Sequence, residues 1–321
     1  MQRRWRLLLL GLALLLPGLG GQAQAQARPS DERVVIVSSD TASAFVEVAQ
    51  VLIDGLVREG MSRYDIRQLT ASELQALVKV SQVPRPRLFV ALGTEASAAL
   101  ATASGATPVL SALIPRNSFE RVLQASGKKT SPQFTALYLD QPLSRQLALI
   151  RLALPAAQRV GVLLGPESAA RASTLRALAQ ANGLVLVEGV ADGQKSVFPR
   201  LKPLLGDCDV LLALADPQVY NSNSLQNILL TAFREKVPMI AFSPAYVRAG
   251  ALMSLHVTPA QVGAQALALV QLVLHDQALP ASPVESRDFE VGVNEHVARS
   301  LGLTLDASGL RLELRRLERL P

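Results

Sequence analysis

Short apolar runs of strand length alternate with helix-spaced stretches along almost the whole chain from residue 33 onward. Residues 33–39 (RVVIVSS) read as a buried strand. Asp40-Thr41 then offers an N-cap to a helix reaching about residue 58, with Phe45, Val48, Ala49, Leu52 and Leu56 at helical spacing and Gly60 as its stop. Residues 64–69 and 72–80 read as a second strand and helix. Residues 87–92 form a third strand, closed by Gly93-Thr94-Glu95 and a small-residue helix to Ala103, and residues 107–113 a fourth strand. The pattern then starts again. Residues 133–140 lead through Pro142 into a helix over 143–154, and 159–164 is a strand ending in Gly165-Pro166-Glu167-Ser168 before a helix to Ala181. Residues 184–190 and 197–205 add another strand and helix. The strands at 209–214 and 237–242 are closed by Asp216-Pro217 and Ser243-Pro244, with a helix over 225–233 between them. Residues 251–257 are a further strand, and Thr258-Pro259 starts a long helix to His275 with proline at its first position. An extended segment at 289–293 precedes a short helix capped by Asn294, and the Arg- and Leu-rich tail at 310–320 suits either helix or strand. Strands alternating with helices predict an α/β fold: two doubly wound parallel-sheet lobes facing each other across a cleft.

The first residues depart from this rhythm. Arg3, Arg4 and Arg6 precede an apolar run from Leu7 to Leu16, and small residues then lead to Ala25-Gln26-Ala27. That run is shorter than the roughly 20 residues a membrane span needs. It reads as a secretory signal over residues 1–27, cleaved after Ala27, so the mature protein is expected in the periplasm. Cleavage removes three arginines and no acids, lowering the formal charge from +6 to +3, too little to mark a nucleic-acid binder. The single cysteine, Cys208, rules out an internal disulfide framework and leaves no cysteine at the cleavage site for a lipid anchor.

Catalytic patterns are scarce. His256, His275 and His296 have no partners at metal-ligand spacing, and the chain carries no G-x-S-x-G, G-x-G-x-x-G or Walker pattern. No catalytic residue, metal or cofactor is predicted. What the strands share is a small or polar residue at the C-terminal end, followed by a helix start with free backbone N–H groups. In parallel α/β sheets ligands bind at that end. Ser39, Thr94, Asp216, Tyr220, Ser243 and Tyr246 are the ligand-binding candidates, with helix capping as the alternative for each hydroxyl and carboxylate.

Residues 209–250 (DVLLALADPQVYN through VPMIAFSPAYVRAG) and the closing VGVNEHVARSLGL resemble the ABC transporter substrate-binding proteins with a type I periplasmic binding fold. Asn294, Ala298, Leu301 and Gly302 fit that family's ending. The resemblance implies two hinged lobes, one from residues 28–113 plus 251–276 and the other from 114–250 plus 277–321. It also implies capture of a small polar ligand, an amino acid or related metabolite, between the lobes, and delivery to an inner-membrane ABC permease. A sensor or envelope-interaction protein built on the same fold is the rival reading, and a hydrolase a third. Leu113-Ile114-Pro115-Arg116 stands where family members carry a T-D-P-type crossover, so the family's amino-acid specificity is not carried over.

Overall fold

A computed structural model of the protein describes residues 33–192 and 197–318. The signal segment predicted at 1–27 lies outside the described residues.

The first sheet comprises β1 (Val34–Ser38), β2 (Ile66–Thr70), β3 (Leu88–Leu92), β4 (Val109–Ile114) and β5 (Phe134–Tyr138). Its order is β2-β1-β3-β4-β5 and every pair is parallel. Along β1, alternation sends Val34 and Ile36 to one face and Val35 and Val37 to the other, and helices cover both. That double cover is why the strand sequences read as unbroken apolar runs. On one face α1 (Ser43–Arg58) packs beside α10 (Pro259–Leu274). The approach is close because Gly263 of α10 faces Val51 of α1, where a Cβ would sit 2.7 Å from the valine side chain. On the other face lie α2 (Ala71–Lys79), α3 (Thr94–Ala103) and α4 (Arg116–Ser126).

The second sheet holds β6 (Arg159–Leu164), β7 (Val185–Val190), β8 (Val210–Leu212), β9 (Met239–Ala241), β10 (Met253–His256) and β11 (Glu290–Val293). Its order is β11-β10-β9-β8-β6-β7, parallel throughout except for the β10–β11 pair. One face is covered by α5 (Leu143–Ala153), α6 (Ala172–Ala181), α11 (Glu295–Ser300) and α12 (Ala307–Leu317). The other is covered by α7 (Val197–Gly206) and α8 (Leu225–Arg234), while α9 (Pro244–Ala249) joins β9 to β10.

Local signals set most boundaries. Thr70 and Thr258 each make a full capping box, with Glu73 and Gln261 respectively, and Asn294 caps α11 through the N–H groups of His296 and Val297. Asp40 does not cap α1 directly; its carboxylate accepts from the N–H groups of Thr41 and Ala42, shaping the turn before the helix. The tail left open between helix and strand is helical as α12, capped by Asp306.

The sheets divide the chain differently from the boundaries read from sequence. β5 pairs with β4, so the first lobe runs past Leu113 to Tyr138, and the chain crosses at residues 139–142 into α5. β10 belongs to the second sheet, and the chain returns at Val257-Thr258 to α10. It crosses a third time after Val284, which bridges Leu137 of the first sheet, to reach β11. The lobe boundary read between residues 250 and 251 falls instead inside the second lobe, between α9 and β10. The reason is that apolar runs announce strands but do not reveal which neighbours they pair with.

Candidate functional site

A cavity of about 250 Å³ opens where the C-terminal ends of both sheets meet. The first lobe contributes Pro115 after β4 and Leu139 after β5. The second contributes Ala213, Leu214 and Ala215 after β8, Phe242 after β9, and Leu255 of β10. These walls are apolar, and a few polar groups stand among them, the usual composition of a small-molecule pocket.

Each polar group is oriented by its own surroundings. Asp140, on the first crossing, has a buried side chain whose Oδ2 accepts from the backbone N–H of Arg116 at 2.7 Å. Its Oδ1 pairs with Arg171 Nη1 at 3.2 Å. Burial lowers the Arg171 pKa, with Asp140 acting in the opposite direction; an arginine remains charged regardless. Gln146, on α5, donates its side-chain N–H to the backbone carbonyl of Gln141 at 2.9 Å, which fixes the Gln146 amide at the cavity wall. His256, the last residue of β10, shares a 3.0 Å hydrogen bond between Nδ1 and Ser254 Oγ, which leaves Nε2 for the cavity. Burial depresses the His256 pKa, Glu290 opposing, so the ring is neutral near pH 7. Ser243 lines the cavity and caps α9 by accepting from the N–H of Ala245 at 3.2 Å.

Of the six residues singled out from sequence, Ser243 therefore stands in the cavity wall. Tyr246 and Tyr220 lie behind it. The Tyr246 ring packs on Phe242 at 4.8 Å, Tyr220 meets the same phenylalanine edge-on at 6.3 Å, and Phe242 presents this aromatic layer to the cavity. Tyr220 is buried and its hydroxyl has no hydrogen-bond partner among the described residues. Ser39 and Thr94 lie at the ends of β1 and β3 and are not among the residues lining this cavity. Ser39 Oγ donates to the carbonyl of Leu92 and accepts from the N–H of Ala96, tying β1 to the start of α3. Gly93 makes that tie possible: its φ is +86°, and a Cβ there would fall 2.8 Å from Ser39 Oγ. Asp216 is buried and faces the loop after β6. Its Oδ2 accepts from the N–H groups of Glu167 and Ser168 and from Ser168 Oγ, and its Oδ1 from the N–H of Gln218.

Sequence reading passed over Asp140, Gln141, Gln146, Arg171 and Phe242, and weighed His256 only as a metal ligand. The strand-end rule reaches Asp140, two residues after β5, and Phe242, directly after β9. Gln146 and Arg171 sit on helical turns that nothing in the periodicity marks. No group of three or more His, Cys, Asp or Glu among the described residues is arranged to hold a metal ion.

The lobes also touch at the rim. Asn117, on the first turn of α4, donates to Glu167 Oε2 at 2.7 Å and to the carbonyl of Ala215 at 2.9 Å. Arg121, one turn on, pairs with Glu167 Oε1 at 2.6 Å. Beside these, Arg116 pairs with Glu285 at 2.5 Å and lies over the Tyr138 ring at 4.5 Å.

Known proteins agree with this architecture. The family model described as ABC transporter substrate binding protein matches residues 33–312. No curated protein matches the sequence. Among solved structures, a ligand-free, open substrate-binding protein with adhesive properties from Clostridium difficile is 20% identical, with TM-score 0.68 over 86% of this chain and 96% of that one. A domain from Streptococcus pneumoniae in complex with L-Trp is 19% identical, with TM-score 0.59 over 86% of this chain and 97% of that one. A periplasmic ribose ABC transporter protein from Conexibacter woesei is 11% identical, with TM-score 0.52 over 88% and 98%. These likenesses concern the fold, type I periplasmic binding proteins with two α/β lobes. The match over nearly all of the described residues places the chain in the ABC transporter substrate-binding protein family.

Proposed function

We propose that this protein captures a small metabolite in the interlobe cavity, in the periplasm, and presents it to an inner-membrane ABC permease without turning it over. The observation that carries this reading is the cavity itself: its walls come from the strand ends of both sheets, and three chain crossings join the lobes around it. Such a site opens and closes by hinge motion of one lobe against the other. No helix among the described residues is long and apolar enough to cross a membrane, which fits a partner that is reached by docking.

The walls point to the ligand class. Arg171 and Asp140 are the charged side chains lining the cavity, and they neutralise each other. A ligand carrying net charge would be desolvated there without a counter-charge, at a cost of several kcal/mol. The ligand is therefore of zero net charge, with an apolar body against Phe242, Leu214 and Leu255. An amino acid or related zwitterion meets this condition by taking Arg171 and Asp140 as partners for its two ends. Ser243 and His256 supply further polar contacts, while Tyr220 and Tyr246 back the aromatic wall. Ser39, Thr94 and Asp216 shape the cleft loops.

A thermal-shift screen of the mature protein against amino acids and other small polar and aromatic metabolites tests the proposal. Saturable stabilisation by one chemical class supports it, since a ligand at 100 times its Kd adds about 2.7 kcal/mol. A flat response across the panel favours a sensor or envelope-interaction role with an unused cleft.

A further inference from the structure

We propose that the foot of the first lobe, the face where its strands begin and its helices end, docks on anionic phospholipid membranes. The inference rests on the reading that the protein is exported to the periplasm, and it is independent of what the cavity holds.

Where helices cross over between parallel strands, strand starts and helix ends collect at one face. In the first lobe that face carries Arg33 before β1, Arg58 ending α1, Arg63 before β2, Lys79 ending α2 and Arg85 before β3. α10 ends there as well: Arg87 donates to the carbonyl of Val273 at 3.0 Å and pairs with Asp276 at 2.6 Å. None of the first five cations has a side-chain hydrogen bond or ion pair among the described residues, and all but the half-buried Arg33 are exposed. A cation at a helix end offsets the macrodipole, which accounts locally for Arg58 and Lys79. It does not account for Arg33, Arg63 or Arg85, which stand outside the α-helices. Among the acids described at this face, Asp276 is taken by Arg87 and Glu59 by the Gln271 amide, leaving Asp65. The corresponding face of the second lobe is balanced. There Arg159 pairs with Asp209 at 2.8 Å with Asp207 nearby, and Glu235 sits between Arg234 and Lys236 in the chain.

Cations alone would suit any acidic partner, and the apolar side chains among them narrow the choice. Tyr64 is 95% exposed, more than any other large hydrophobic side chain among the described residues, and Val57 and Val80 are exposed too. Each is next in the chain to a cation: Val57 to Arg58, Tyr64 to Arg63, Val80 to Lys79. They lie on three separate segments. A fluid bilayer surface accepts such scattered points, whereas a folded acidic partner needs matching contours. A tyrosine suits the headgroup level, with its ring in the apolar boundary and its hydroxyl in water, and basic side chains reach phosphates from the same depth. The segments are also fixed in advance. Gly60 takes φ +92° to leave α1, Ser62 Oγ accepts from the N–H of Tyr64 at 3.3 Å, and Arg85 stands between Pro84 and Pro86. Arg33 lines a notch of about 180 Å³ between the ends of α1 and α10, with room for a headgroup phosphate. Each basic residue at an anionic leaflet strengthens binding by about fivefold, and salt screens the attraction.

The test uses ligand-free mature protein. Trp5, the one tryptophan of the sequence, lies in the signal segment, so the mature chain has none. Tyr64→Trp therefore supplies a single fluorescent reporter at the foot of the first lobe, and Phe233→Trp, at an exposed position of α8, a control in the second. Both are titrated with vesicles of phosphatidylcholine alone and of phosphatidylcholine with an equal part of phosphatidylglycerol. The Tyr64→Trp protein is expected to shift to the blue and to co-sediment with the phosphatidylglycerol vesicles only, and to be released in about 0.5 M salt. Adding Arg58→Gln and Arg63→Gln is expected to weaken binding about 25-fold. If that variant does not melt cooperatively, Lys79→Gln with Arg85→Gln takes its place. Absence of binding to the phosphatidylglycerol vesicles, equal binding to phosphatidylcholine alone, an equal blue shift from Phe233→Trp, or unchanged affinity without the two cations overturns the proposal. Equally tight binding to soluble polyglutamate also overturns it and assigns the face to an acidic protein. With no metabolite present, failure here leaves the capture reading standing, and a flat metabolite screen leaves this one.

Discussion

The carboxylate of Asp216 accepts the hydroxyl of Ser168 at 2.8 Å, joining the loop after β8 to the loop after β6 beneath the rim of the cavity. Two backbone N–H groups of the β6 loop share the same oxygen. Asp216→Ala leaves those donors buried without their acceptor, so the loss exceeds that of one ordinary hydrogen bond. The expected cost is about 2–4 kcal/mol, read as a lower urea midpoint with unchanged m-value. A loss below about 0.5 kcal/mol, the range of neutral surface changes, would show that the loop pair does not depend on this carboxylate.

His256 gives the protein a pH dependence with a definite sign. Burial holds its pKa below the ordinary value, partly opposed by Glu290, so the unfolded chain binds more protons than the folded one as pH falls through about 6.5. Stability contributed by the neutral ring is therefore present above that pH and lost below it. Relative to His256→Gln, wild type should lose melting temperature between pH 7.5 and pH 5. Parallel melting curves for the two proteins across that range would contradict the burial argument.

Cys208 is buried, and desolvation pushes its thiol up to about 11, so little thiolate exists at pH 8. It should react with a disulfide reagent only through opening of the fold, and at full rate in 6 M guanidinium. Its contact is tight as well: a Cβ on Gly161 of β6 would come within 2.5 Å of the sulfur. Gly161→Ala is expected to destabilise by about 1–3 kcal/mol through overpacking, measured by denaturant titration. Prompt labelling of the native protein would place the thiol nearer to solvent than the structure does.

The fold was legible wherever one sequence signal had one structural consequence. The run Val34 to Val37 is apolar without a break because helices cover both faces of β1, and Thr258-Pro259 and Asn294 start helices because their caps act locally. α4 was missed, since its sequence RNSFERVLQAS buries only Ser118, Phe119 and Val122 and shows little apolar stripe. The crossings were misplaced because β5 and β10 carry the same apolar pattern whichever sheet receives them. At the site, Ser243 was visible as a strand-end hydroxyl before a proline. Asp216 is likewise a strand-end polar residue before a proline yet turns inward, and Arg171 gave no signal, because both roles depend on partners far away in sequence: Ser168 for the one and Asp140 for the other.

The central claim is that the interlobe cavity takes up a metabolite of zero net charge. Its most direct test is calorimetric titration of the best stabilising compound into wild type and into Val257→Trp. Val257 lines the cavity on the crossing from β10 to α10, so the larger ring fills space a ligand needs. The account predicts one site per molecule in wild type. It also predicts at least a hundredfold weaker binding in a Val257→Trp protein that still melts cooperatively, a loss of about 2.7 kcal/mol. Equal affinity in the two proteins would place the ligand elsewhere and contradict the account.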